Sequence, residues 1–477
     1  MNDNSKLASI IVIEGILENT SPFVIGTGKG DIIDIEIIKD ENGNPYIPAT
    51  SFVGALRHHI SKNFKEEDKE TWEYFWGSKN LNNNKAVQSH FILSDLKILK
   101  IMDNPKEDLI TVRDGVAIDE KTGTAKEKAK YDYEIVNKDL EFEFKAEIKI
   151  RKSFKNKTND ILKILKTIIT EFEAGNVQFG AFTTKGFGRF KLKNFQILKF
   201  DFPNDGINYL KFLQNEYLPE DKLDLKKIEL DLSKIDILSK KDNADCIITA
   251  DFSIKSSLII SSYTTDSKDP DKVHIKYNGK NVLTGTSLKG AIRSRAFKIV
   301  NTLCKNNQEE NDDLKKLFGW ADTENKEETK YKSRVIIDES IVENVIEKEQ
   351  ARIKIDRFTG GVIAGALFQS KPLWHNDENV RLKIKIKDAK DWEIGLLLLV
   401  LKDLWNEDLP IGGEKNIGRG VLKGKGIEIE YNVEKYTIQK SEDDKRTNKV
   451  LVNDKDKEKL ENFVKEFLKK ARDWDAK

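Results

Sequence analysis

The sequence predicts an α+β protein built from two tandem ferredoxin-like (RRM-like) modules followed by a C-terminal helix. Two observations carry this expectation. Four sequence blocks recur in the same order in the two halves of the chain. Within each half, the apolar pattern runs close to β-α-β-β-α-β, the ferredoxin-like order.

The first block reads YIPATSFVGALR at 46–57 and VLTGTSLKGAIR at 282–293, so Thr50, Ser51, Gly54 and Arg57 recur as Thr286, Ser287, Gly290 and Arg293. The second sets FWGSKN and HFILSD against FGWADT and RVIIDES, pairing Gly77 with Gly319 and Asp95 with Asp338. The third aligns 115–126 with 352–363 and repeats Ile118, Asp119, Thr122 and Gly123 as Ile355, Asp356, Thr359 and Gly360. The fourth, TKGFGRFKL and EKNIGRGVL, pairs Lys185, Gly188 and Arg189 with Lys415, Gly418 and Arg419. These repeats divide the chain into a first module (1–203), an Asp- and Lys-rich linker with some local structure (204–243), a second module (244–432) and a C-terminal extension (433–477).

Each half opens on a β-branched strand, ASIIVIEGIL and CIITADFSIKSSLII. A helix follows, with Phe52, Ala55, Leu56, His59 and Ile60 on one face in the first half and Leu288, Ala291, Ile292, Arg295 and Ala296 in the second. Ser51 and Ser287 precede these faces and are expected to cap them, since a serine hydroxyl accepts a free amide of the first turn. Strands in SHFILSDLKIL, EFEFKAEIKI and RVIIDES come next, and the antiparallel sheet of such a fold is a common platform for single-stranded RNA. DILKILKTIITEFEAG and WEIGLLLLVLKDLW supply the second helices, and a closing strand follows each glycine loop. In the tail, Asn453 or Asp454 caps a helix with an apolar stripe of Leu460, Phe463, Val464, Phe467, Leu468 and Ala471. That stripe fits either its own second module or a neighbouring subunit.

Bulk properties exclude more than they identify. The 477 residues carry 82 Lys and Arg against 81 Asp and Glu, so any nucleic-acid affinity must come from local basic and glycine-rich loops. Cys246 and Cys304 make neither a disulfide framework nor a zinc cluster. No run reaches the roughly 18 apolar residues needed to cross a bilayer, and the N-terminal apolar run reads as a strand, so a soluble, cytoplasmic protein without a membrane partner is expected. GTGKGD at 26–31 lacks the full GxxxxGK[ST] of a nucleotide loop; its glycines suit backbone amides approaching an RNA phosphate. The five histidines show no metal-ligand spacing, and each reads as structural or surface.

An early glycine loop, an aspartate, then IPATSFVGALR resembles the RAMP superfamily of CRISPR-associated proteins. The segment 118–134 and IDRFTGG at 355–361 resemble thumb hairpins of type III backbone subunits, and GFGR and IGRG resemble the family's glycine-rich loop. Two such modules in one chain resemble the fused backbone subunits of the type III-D branch.

The resemblance implies a subunit that lines up along a CRISPR RNA with other type III effector subunits, kinks the guide with its thumbs and cuts paired single-stranded target RNA. It places the cutting aspartate at Asp34, with Asp31 second; in the other half it points to Asp271, then Asp269. Asp34 and Asp271 would also hold the divalent metal, Mg2+ or Mn2+. Guide contacts are expected from Gly26, Gly28 and Lys29, from Ser51, Arg57, Ser287, Lys289 and Arg293, and from Lys185, Arg189, Lys415 and Arg419. The family's lysine two residues after the serine is present as Lys289, whereas Val53 stands in the first half. Arg57 and Arg293 also fit salt bridges within their modules. At the thumb apices, Arg357 is expected on RNA, and Phe358 and Ile363 fit either a wedge between bases or core packing. A non-catalytic scaffold and a repeat-processing endoribonuclease are the alternatives.

Overall fold

The computed structural model describes residues 5–28, 33–61, 68–79, 86–99, 109–119, 122–215, 228–238, 244–262, 270–305, 311–320, 330–441 and 450–475. These fall into two compact units. The first takes residues 1–112, 134–183 and 187–242; the second takes 113–133, 184–186 and 243–477.

The first unit is built on β1 (Leu7–Asn19), followed by a short hairpin of β2 (Gly26–Gly28) and β3 (Glu36–Ile37). Then come α1 (Ala49–Ile60), α2 (Lys69–Trp76), β4 (Phe91–Leu93), the hairpin strands β5 (Ile110–Ile118) and β6 (Ala125–Val136), of which residues 113–133 group with the second unit, β7 (Glu141–Arg151), α3 (Thr158–Glu173), β8 (Phe190–Asp201) and α4 (Gly206–Asn215). The sheet order is β8-β1-β7-β4, antiparallel throughout. Counting only sheet strands, that is 4-1-3-2, the ferredoxin-like arrangement the sequence predicts.

Period-two patterning makes these strands. Phe142, Phe144, Ala146, Ile148 and Ile150 point inward from β7 while the residues between them face out. Phe52 of α1 stacks on Phe172 of α3 (centroids 5.8 Å apart) and meets Phe144 at 5.8 Å, which closes the core between sheet and helices. β1 is buried on both faces because residues of the presumed linker cover its other side. Phe212 of α4 packs with Ile10, Val12, Leu198, Phe200 and Ile228. Residues 228–230 bond to the edge of β8 through Lys199 N to Ile228 O (2.8 Å) and Leu230 N to Ile197 O (2.8 Å).

The second unit repeats the plan with β9 (Cys246–Ile254), β10 (Ser261–Ser262), β11 (Lys272–His274), α5 (Gly285–Leu303), α6 (Asp312–Phe318), β12 (Val335–Ile337), β13 (Gln350–Ile355), β14 (Val362–Lys371), β15 (Val380–Ile386), α7 (Asp391–Trp405) and β16 (Leu422–Tyr431). Its sheet runs β12-β15-β9-β16, extended by β17 (Glu434–Lys440) and β18 (Val450–Val452). The fourth strand's edge is therefore paired in both units, by residues 228–230 in one and by β17 in the other.

The outer face of this second sheet is open, with Thr249, Asp251, Arg381, Lys425, Glu428 and Gln439 on it. None of these is aromatic, and Asp251 holds Arg381 at 2.8 Å. The sheet-face platform for stacked bases is thus covered in the first unit and lined with polar groups in the second. The tail helix α8 (Asp454–Asp475) packs on α7 of its own module: Leu460, Phe463, Phe467, Ala471 and Trp474 are buried, and Gly395 lets the Phe463 backbone come close. Of the predicted stripe, Leu468 remains 36% exposed.

Strand register corrects two of the sequence pairings. Phe91 and Val335 occupy one sheet position, opposite Ile148 and Ile386, so Asp95 corresponds to Glu339 rather than Asp338. In the closing loops, Phe179 N bonds Gly188 O and Ile411 N bonds Gly420 O, each at 3.0 Å. Gly188 therefore corresponds to Gly420, Gly186 to Gly418, and Arg189 to Val421. The shared letters G-R had drawn the alignment two residues out of place.

These glycines generate a prediction. A Cβ on Gly188 or Gly420 would lie 2.0 or 1.9 Å from a carbonyl oxygen, with φ at +74° or +82°. Gly418 has φ +84° but open space around it. Gly188→Ala and Gly420→Ala should each cost about 3 kcal/mol or more of stability, and Gly418→Ala about 1 kcal/mol. Urea midpoints of the three variants check this order.

Candidate nucleic-acid interface

Each unit carries a short hairpin that presents an aspartate. Gly26 pairs with Ile37 and Gly28 with Glu36, and Ile38 N donates to Ile25 O at 2.9 Å. In the second unit Ser261 pairs with His274 and Ser262 with Val273, and Ile275 N donates to Ile260 O at 2.9 Å. Counting back from Ile38 and Ile275 puts Asp34 and Asp271 at equivalent positions. Both side chains are exposed. Asp31, Lys29 and Asp269 lie outside the described residues.

Each aspartate stands at the root of a longer hairpin. Ile35 O accepts from Glu134 N of β6 (2.9 Å), and the Glu134 carboxylate accepts from Ile37 N (3.0 Å) and from Lys39 Nζ (2.9 Å). In the second unit β11 pairs with β14, and Asp271 Oδ2 accepts from Gln369 N at 3.0 Å. Gly28, at φ +121°, has a backbone that an L side chain would strain.

The two long hairpins turn in the same way. Asp119 Oδ1 accepts from Thr122 N (2.9 Å) and Thr122 Oγ1 (3.1 Å); Asp356 Oδ1 accepts from Thr359 N (2.8 Å) and Thr359 Oγ1 (3.1 Å). Gly123 and Gly360 take the left-handed position that follows, at φ +69° and +68°. The donors around Asp356 hold its carboxyl below the usual range, led by the Thr359 amide. Both hairpins carry an exposed apolar stripe at matching positions: Val116 and Ile118 on the first, Ile353 and Ile355 on the second. At the second tip Phe358 is 98% exposed, beside exposed Arg357, so Phe358 is not a core residue. Ile363 is half-buried.

The helix starts differ from expectation. Ser51 and Ser287 lie inside the first turn and do not cap. Ala49 N instead donates to Asp95 Oδ1 at 2.7 Å, and Thr284 Oγ1 accepts from Ser287 N at 3.4 Å. A Thr three residues before Ser287 was the visible signal for the second cap; Asp95, distant in sequence, left none.

The predicted cations divide into exposed and internal. Arg57 and Lys415 are exposed, and Arg189 is half-buried. Arg293 donates to Gly319 O at 3.5 Å and lies over the Phe297 ring. Lys289 is 8% exposed, and its ammonium donates to the carbonyls of Thr184 (3.3 Å) and Val335 (3.0 Å). Burial, then Lys185, Arg293 and Lys332, push it down to about 7. Burial also lowers Lys185. Arg419 is 2% exposed and pairs with Glu414 (3.1 Å), a carboxylate that none of the repeated motifs singles out.

Among the histidines, His274 is 2% exposed. Its Nδ1 accepts from Ile260 N (3.2 Å) and its Nε2 donates to Val282 O (3.0 Å). Burial lowers it to about 4. His59 pairs with Glu171, His90 with Tyr74 O, and His375 with Glu378. No group of three metal-ligating side chains gathers among the described residues. A carboxylate on each acid hairpin suits a hard cation that takes its remaining oxygens from phosphate and water. No described helix is long and apolar enough to cross a membrane.

Residues 16–191 and 251–423 match the family model of the RAMP superfamily. The two matched stretches bracket the two acid hairpins, long hairpins and closing loops. No curated protein matches the chain.

Two pH responses follow. The Lys289 ammonium titrates near 10.5 when unfolded and about 7 when folded. The folded chain then binds fewer protons between those values and gains stability as pH rises through them. The urea midpoint of the native chain relative to Lys289→Met should climb from pH 7 to 10; a flat difference contradicts this. His274 should stay neutral above pH 5, with its stability contribution lost as pH falls from about 6.5 through 4. Its imidazole resonance, followed by NMR, should not move between pH 5.5 and 8.

Proposed function

The chain belongs to the RAMP superfamily, whose members are CRISPR-associated RNA-binding proteins, and we propose that it is a guide-binding backbone subunit of a type III CRISPR complex that cuts the paired target RNA at two places. The observation that carries this reading is the repeated arrangement itself: in both repeats an exposed aspartate stands beside the base of a long hairpin, and the two long hairpins carry matching exposed apolar residues.

The chemistry asks little more. RNA brings its own nucleophile, the 2′-hydroxyl, which attacks once the backbone is bent so that it stands in line with the adjacent phosphate. A hairpin with a hydrogen-bonded turn and exposed apolar side chains suits unstacked bases and would favour such a bend. Val116, Ile118, Ile353, Ile355 and Phe358 would meet the bases, while Arg57, Arg357 and Lys415 would neutralise phosphates. Asp34 and Asp271 would accept the 2′-hydroxyl proton directly or hold a cation beside it. A bound Mg2+ or Mn2+ would supply charge neutralisation at the scissile phosphate. Other effector subunits would share the guide.

A scaffold role without cutting has one point in its favour at the second site, where Asp271 already accepts the Gln369 amide. Repeat processing by histidine has less, since His59, His90, His274 and His375 are engaged within the fold.

In a guide-loaded complex, Asp34→Ala should abolish one cut and Asp271→Ala the other, each by about 100-fold or more, with target affinity unchanged. Gel analysis of end-labelled target reads both cuts. Products that persist in the double variant would make the chain a scaffold.

A further inference from the structure

At the second site the acid hairpin and the long hairpin are joined through one carboxylate. Glu414 Oε1 lies 2.7 Å from Arg352 Nη2 on β13 and 3.6 Å from Nζ of Lys272, the residue after Asp271. Glu414 Oε2 lies 3.1 Å from Arg419 Nε. Arg419 Nη2 in turn donates to Gln350 Oε1 (2.6 Å) and to Ser370 Oγ (3.1 Å), at the roots of both hairpin strands. Ser370 adjoins Gln369, whose amide donates to Asp271. The contacts form a closed ring from Asp271 through β14, Arg419 and Glu414 back to Lys272.

The first repeat has the same backbone there and different chemistry. Gly180 and Gly412 make equivalent close approaches, to Val24 O and Ile259 O, which fixes the correspondence. The position of Glu414 (φ 55°) is then held by Phe182 (φ 57°), and that of Arg419 by Phe187. Those two rings meet edge to face, 5.9 Å apart. Where one repeat closes the loop with an aromatic pair, the other uses a largely buried ion pair.

We propose that Glu414 is a positioning residue for the second acidic site, holding Asp271 in register with the long hairpin through Lys272, Arg352 and Arg419. The proposal rests on the reading that both hairpins act on RNA. A carboxylate displaced by about 1 Å from its partner phosphate loses on the order of 10- to 100-fold in rate. Loss of the Glu414 charge should therefore slow the second cut and spare the first.

The test uses the full chain in its guide-loaded complex, with end-labelled target under single-turnover conditions. Glu414→Gln should slow the second cut at least about tenfold, with target affinity and the first cut unchanged. Lys272→Met, which removes one arm of the ring, should slow the same cut less. Phe182→Leu should affect the first cut alone. Amide exchange on the isolated chain gives a readout independent of cleavage: the Gln369 amide should exchange faster in Glu414→Gln while the sheet strands stay protected. Equal slowing of both cuts, or no change at the second with unchanged Gln369 exchange, overturns the positioning role. If the native complex makes neither cut, the functional reading fails, and Gln369 exchange alone decides whether Glu414 holds Asp271.

Discussion

Everything at these sites depends on a central strand hydrogen-bonded along both edges. β1 is locked between β7 and β8, and β9 between β15 and β16. A slip of one residue would turn every inward side chain outward, so the buried faces fix the register. That register sets where the acid hairpin leaves the sheet and where the long hairpin rises beside it. Asp34 and Asp271 coincide because the backbone beneath them does; the loops that carry them share little sequence.

The two repeats keep this backbone and change the chemistry around it. One covers its outer sheet face with α4, and the other leaves a polar face open and extends its sheet. One fastens its closing loop with Phe182 and Phe187, the other with Glu414 and Arg419. Lys289 bonds two backbone carbonyls where the first repeat has Val53. The two repeats share geometry more strictly than side chains.

This explains what could be read from the sequence. Alternating strands, the two amphipathic helices and the D-x-x-T-G turns carry local signals, since spacing alone sets face and turn type. The tandem fold was legible for that reason, whereas both long hairpins were expected only through the family resemblance. Capping by Asp95 was not, because the partner comes from a distant strand. The closing-loop pairing misled because identical letters, Gly then Arg, fall on positions the backbone does not equate. Burial of Lys289 and Arg419 was also hidden: a cation at a helix start or in a glycine loop reads as solvent-facing until its carbonyl or carboxylate partner is known.

The central claim is that both acid hairpins face one RNA strand. Ultraviolet crosslinking of the intact chain to a single guide RNA, with the linked peptides identified by mass spectrometry, addresses it most directly. The account predicts crosslinks in both repeats, near 26–37 and 261–274, to nucleotides a fixed distance apart on the same strand. Crosslinks confined to one repeat, or found only on the open sheet face around Arg381 and Lys425, would contradict it.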